Sequence, residues 1–200
     1  MQFQGILLGF FTILIWGVTF VNTKVLLNDF NSFEILFLRF AVAYAALWAI
    51  KPRRFSVGGW KQELLCAMGC WCVYSVLITK VNVKGFGPIL AIRRTFFWAL
   101  VFMLPFLPFH FGFDSSVNVA RFAKGYNLFH LGFLGLLASA LAFVLWNKTC
   151  ALLGTVRATC GIYFIPAVTA VVAYFVLGES LTAMTGLGAL LTILGVVICG

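Results

Sequence analysis

Polar residues in this chain are confined to short stretches, and long unbroken apolar segments run between them. Seven such runs can be drawn, at residues 5–27, 33–50, 64–79, 88–109, 128–146, 158–177 and 181–199. A helix needs roughly 20 apolar residues to cross the hydrocarbon core of a bilayer, and all but the 16-residue third run approach that length. Coil and open sheet are excluded at that depth because their backbone groups would go unsatisfied. The alternating ten-residue segments of a membrane barrel are absent. The pattern predicts an all-α integral membrane protein, a polytopic bundle of about seven transmembrane helices with the lipid bilayer as its main partner. The first run has no basic residue before it and no small-residue cleavage site after it, so it is expected to stay in place as a helix.

Composition agrees. Of 200 residues, 63% are hydrophobic and 10% charged, and the mean hydropathy is +1.08. A soluble domain is about a quarter charged, and this excess of apolar surface would cover a globule with grease. The net charge of +9 would suggest nucleic acid in a soluble protein. Here the bases lie between apolar runs, where orientation signals and lipid headgroup contacts are expected, so no nucleic-acid partner is inferred. Cys66, Cys70 and Cys72 have a spacing that invites a metal reading. With no histidine nearby they read instead as small buried residues, and no metal or cofactor is expected.

The placement of charge creates a conflict. Cytoplasmic loops are rich in Lys and Arg. The linker after the second run carries Lys51, Arg53, Arg54 and Lys61, and the next carries Lys80 and Lys84, with Arg93 and Arg94 just beyond. Both ask to be cytoplasmic, yet a single crossing by the third run would put them on opposite sides. Either that run is re-entrant or interfacial, or the rule fails, or an odd number of spans is missing between the two linkers.

A self-comparison bears on the choice. Offset by 55 residues, Trp16, Val18, Val21 and Arg39 meet Trp71, Val73, Val76 and Arg94, with Lys24 one place from Lys80. Internal repeats are a common way to build a transporter around a central site. From residue 132 onward the chain resembles the second half of the EamA family of the drug/metabolite transporter superfamily. The residues that carry the likeness are 135–147 (GLLASALAFVLWN), 151–154 (ALLG), 158–161, 164–170 (FIPAVTA), Leu177-Gly178-Glu179 and 186–195 (GLGALLTILG). Ile15-Trp16-Gly17 and Arg39-Phe40 are similar to the first two helices of the family's first half.

The resemblance implies a ten-helix fold of two inverted five-helix repeats with both termini cytoplasmic. This chain lacks counterparts of about three helices. Residues 1–70 read as a partial first repeat and 71–200 as a second. Losing three crossings accounts for the conflict in the basic linkers.

Candidate cavity residues are Trp16 and Trp71, which lie mid-run and not at headgroup depth, and Arg39 and Arg94, since arginine in a span usually faces a cavity or partner. Asn147, Tyr163 and the potential kink at Pro166 complete the set. Each has a plainer alternative: helix packing for the tryptophans, snorkelling for the arginines, interhelical hydrogen bonding for Asn147. Glu34 and Glu179 read as helix-end residues, and His110 and His130 as solvated or interfacial. Gly132 with Gly135, Ala138 with Ala142, and Gly186 with Gly188 read as surfaces for close helix approach. No catalytic constellation is present, which disfavours a membrane enzyme.

The reading is a transporter exporting a small metabolite or amino-acid-like solute by alternating access across the cytoplasmic (inner) membrane. The alternative is a non-transporting, internally deleted remnant or a partner-dependent membrane subunit. The small-molecule substrate is not named by the sequence, and homodimerisation is left open.

Overall fold

The computed structural model describes residues 2–51, 87–110, 120–180 and 182–199. The third apolar run, Trp71 and the cysteine cluster lie outside the described residues. No strand occurs among the described residues, and five helices are long and apolar enough to cross a membrane. They are α1 (Gln2–Leu26), α2 (Ser32–Ile50), a span beginning with α3 (Pro88–Met103) and reaching Phe109, a 29-residue span from Gly125 to Leu153, and a span from Thr155 to Leu177. The chain is a multi-pass membrane protein.

The Gly125–Leu153 span starts as α4 (Gly125–Gly132), widens into a π-helical segment (Phe133–Leu141) and continues as α5 (Ala142–Leu153). It is longer at both ends than its apolar run suggests, because Tyr126, Asn127, Lys148 and Thr149 are carried on it. The next span is α6 (Thr155–Ile162) and α7 (Ile165–Leu177). The break between them sits just before Pro166, whose missing N–H and ring bulk end the regular bonding of the preceding turn. Tyr163 and Phe164 bond instead three residues back, to Cys160 and Gly161. Gly154 and Gly178 have φ of +83° and +67°; both close helices in a conformation that glycine adopts without a Cβ penalty. The last helix, α8 (Ala183–Cys199), packs on α6 and α7.

The Gly125–Leu153 span is the centre of the bundle, with α1 on one flank and α2 and α3 on the other. α1 runs antiparallel to it and presents one face at helical spacing, Gly5, Gly9, Thr12, Trp16 and Thr19, all buried. A Cβ at Gly5 would lie 2.7 Å from Leu153 Cγ, and one at Gly9 would lie 3.1 Å from Thr149 Cγ2. Apolar burial offers little drive between helices in lipid, so close backbone approach and buried hydrogen bonds take its place. Threonine hydroxyls on this seam donate to carbonyls one turn back, Thr12 to Leu8 at 2.8 Å and Thr149 to Leu145 at 3.0 Å. They are polar groups that need no further partner.

The close-approach positions divide. A Cβ at Gly135 would lie 2.4 Å from Val42 Cγ1, and one at Gly17 would lie 2.4 Å from Val168 Cγ1. Ala138 and Ala142 are fully buried. Gly132, Gly186 and Gly188 have no described neighbour within 4 Å of such an atom.

Two ends of the bundle differ in charge. α2 and α3 are antiparallel, and the end of α2 lies beside the start of α3: Arg93 Nη1 donates to the Lys51 carbonyl, and Lys51 Nζ lies 3.9 Å from a Cβ built at Gly87. Residues 51 and 87 are therefore on one face, together with Lys148 and Arg157. All described carboxylates, Asp29, Glu34 and Glu179, lie at the opposite end, with Lys24, Arg121 and Lys124 as partners. Of the bases in the two linkers only Lys51 is described; it lies at the same end of the bundle as Gly87, whereas a single crossing between them would put them at opposite ends.

Replacing Gly135 by Val should destabilise the folded protein by about 1–3 kcal/mol through overpacking against Val42. Gly186→Val should be near neutral. Thermal unfolding of both variants in one detergent checks the difference.

Candidate functional site

Two of the candidate residues meet at the π segment. A π turn is rare and often marks a functional place in a helix. Trp16, from α1, donates its indole N–H to the Ala138 carbonyl at 3.1 Å. Arg39, from α2, donates its Nε to the Ser139 hydroxyl at 2.8 Å. Donors from opposite flanks therefore end on consecutive residues, 122 and 100 positions away in sequence. Arg39 does not reach the interface as a snorkelling side chain would. It bonds within the span and stands 5.8 Å from the Phe40 ring.

Aromatic rings beside the π segment join α1, α2, α3 and α5. Trp16 meets Phe143 edge-on at 5.4 Å and Trp146 at 5.5 Å; Phe143 meets Phe96 at 5.4 Å, and Phe96 stacks on Phe40 at 4.9 Å. Rings at these spacings add about 0.5–1.5 kcal/mol per pair beyond their buried area. Trp16, Trp146 and Asn147 are buried, so the middle of the bundle is a packed aromatic core crossed by the polar contacts of Trp16 and Arg39.

The other candidates lie apart. Arg94 is buried on the first turns of α3, near the basic end. Tyr163 is 57% exposed at the break between α6 and α7, and Pro166 is exposed on the first turn of α7.

A second polar group lies at the acidic end, and nothing local in the sequence marks it. Asp29, in the turn between α1 and α2, accepts from Lys124 Nζ at 2.7 Å, from Asn127 Nδ2 at 2.9 Å and from the Tyr126 hydroxyl. Arg121 donates to the Asp29 carbonyl at 2.9 Å and to Glu34 at 3.1 Å, with its guanidinium over the Phe30 ring. Glu34 also closes a capping box on Asn31. Glu179 pairs with Lys24. His130, one turn inside its span, is half-buried with Nδ1 against Asn22 Oδ1. The signal available for this latch was the bases and amides of residues 121–127, a stretch that reads as linker because its partners lie about 90 positions away.

The hydrogen bond from Lys124, then those from Tyr126 and Asn127, holds the Asp29 carboxyl well below the usual carboxylate range. Asp29 in turn raises Lys124. Among the described residues no group of His, Cys, Asp and Glu could hold a metal ion.

The sequence profile of the EamA-like transporter family matches residues 63–200. A protein of Streptantibioticus cattleyicolor described as a probable terminal-alkyne amino-acid exporter is 37% identical over 103 residues. That match covers 50% of this chain but only 32% of the relative. No solved structure matches the chain.

A depressed carboxylate stabilises the fold above its unfolded pKa and loses that contribution as pH falls, and a raised lysine loses its own as pH rises. The latch should therefore hold between about pH 4 and pH 10 and weaken outside that window. Thermal melts of wild type and Asp29→Asn should differ at pH 7, with the gap closing below about pH 4.

Proposed function

The chain belongs to the EamA-like transporter family, and on that premise we propose that it exports a small amino-acid-like solute across the cytoplasmic membrane by alternating access. The observation that carries this reading is the meeting of Trp16 and Arg39 on Ala138 and Ser139. A guanidinium can grip a carboxylate with two parallel N–H bonds, and the neighbouring indole and phenyl rings suit an apolar side chain. Exchanging the Ser139 hydroxyl for a solute carboxylate would uncouple α2 from the π segment. Alternating access needs a step of that kind, in which binding favours one arrangement of the helices over another. The relative's description as an amino-acid exporter supports the solute class.

A second reading is a membrane subunit or remnant that does not transport alone. It is favoured by the aromatic packing that fills the centre of the bundle and by the partial coverage of the longer relative.

Cells expressing the chain, preloaded with labelled neutral amino acids including a terminal-alkyne one, separate the two. Export predicts faster loss of label than in empty-vector cells, and roughly tenfold less of that gain for Arg39→Ala, the cost of one charged hydrogen bond. Membrane levels of the variant should be unchanged. Loss of label at the empty-vector rate for every amino acid would leave the second reading standing.

A further inference from the structure

A cavity of about 370 Å³ lies between α1, α5, α6 and α7, away from the Trp16–Arg39 site. Its size is within the range of ligand pockets. It follows α1 from Ile6 to Leu14, eight residues and so about 12 Å along the helix axis. The walls are apolar side chains: Ile6, Phe10, Leu14, Leu153, Phe164 and Val168. Ile6 and Phe10 are 59% and 54% exposed, so the outer wall faces lipid. Thr149 also lines it, but its hydroxyl is already bonded to Leu145.

Arg157 alone brings charge to this cavity. It sits with Leu153 and Ile6 at the basic end of the bundle, while Leu14 and Val168 lie deeper. The polarity therefore runs in one direction, from a cation at the headgroup level to hydrocarbon toward the middle of the membrane. An amino acid is a poor fit, since its ammonium would need an acceptor and every described carboxylate is at the opposite end. A phospholipid of the leaflet at that end has the required order of parts: an anionic head for Arg157 and an acyl chain for the slot.

We propose that this cavity is a binding site for one acyl chain of an anionic phospholipid, with the lipid phosphate held by Arg157. The site is independent of transport. A lipid there would lie between α1 and α6–α7, the pair joined deeper in the membrane by the Thr169 hydroxyl on the Gly17 carbonyl.

The test is lipid retention by the full-length protein, purified from detergent mixed with equal amounts of phosphatidylglycerol and phosphatidylcholine and read by native mass spectrometry. One basic group near the headgroups should give roughly a fivefold preference for the anionic lipid. Arg157→Gln should abolish the preference and Arg157→Lys should keep most of it. Lys148→Gln, which removes an exposed base at the same end but outside the cavity, should leave it intact. Leu14→Trp, which fills the slot, should reduce retention of the anionic lipid while Arg157 is still present. Equal retention of the two lipids by wild type would overturn the proposal. So would an equal loss from Arg157→Gln and Lys148→Gln, which would mark general surface charge. Saturable binding of decyl phosphate without retained phosphatidylglycerol would point to a free amphiphile and would also overturn it.

Discussion

The bundle depends on how closely α1 can approach the Gly125–Leu153 span. Lipid tails are as apolar as leucine, so burial of hydrocarbon gives these two helices little reason to meet. What holds them is contact at short range at Gly5 and Gly9, then the Trp16 N–H on the Ala138 carbonyl. The order along the seam has a physical logic. Glycines let the backbones close toward the basic end, and further along the indole donates into the π segment. The second flank repeats the device with Gly135 against Val42 and Arg39 on Ser139. Both flanks thus use a small residue for approach and a long polar one for direction.

That arrangement links the fold to the family's activity. A transporter must exchange two arrangements of nearly equal free energy, and the element that moves cannot be the most rigid one. Among the described residues the π segment takes one side-chain hydrogen bond from each flank, beside its close packing on Val42, whereas the ends of the bundle are tied by ion pairs at the acidic face and by the Arg93–Lys51 contact at the basic face. The middle is where a competing polar group would have most effect.

Much of this was legible in the sequence. The spans follow from run length, and the break before Pro166 and the turn at Gly178 follow from backbone chemistry. Trp16 and Arg39 were identified because an indole away from the headgroups and an arginine inside a span both need a partner. Their convergence was not legible, because the partners are a backbone carbonyl and a serine in a third helix with no distinguishing residue type. The latch around Asp29 was hidden by distance in sequence: its bonds join the α1–α2 turn and Glu34 to residues 121–127. The glycines also could not be ranked from sequence, since Gly135 and Gly186 differ only in what lies opposite them.

The conflict between the two basic linkers is the sharpest point of contact between sequence and fold. Residues 51 and 87 must lie at the same end of the bundle, so that α3 leaves the face at which α2 arrives. A Lys51→Cys, Gly87→Cys pair, in a background with the native cysteines replaced, tests this in native membranes. A bis-maleimide with a spacer of about 10 Å should cross-link the pair, since the Lys51 side chain reaches Gly87, and both positions should label from the same side of the membrane before cross-linking. Labelling from opposite sides, with no cross-link, would contradict it.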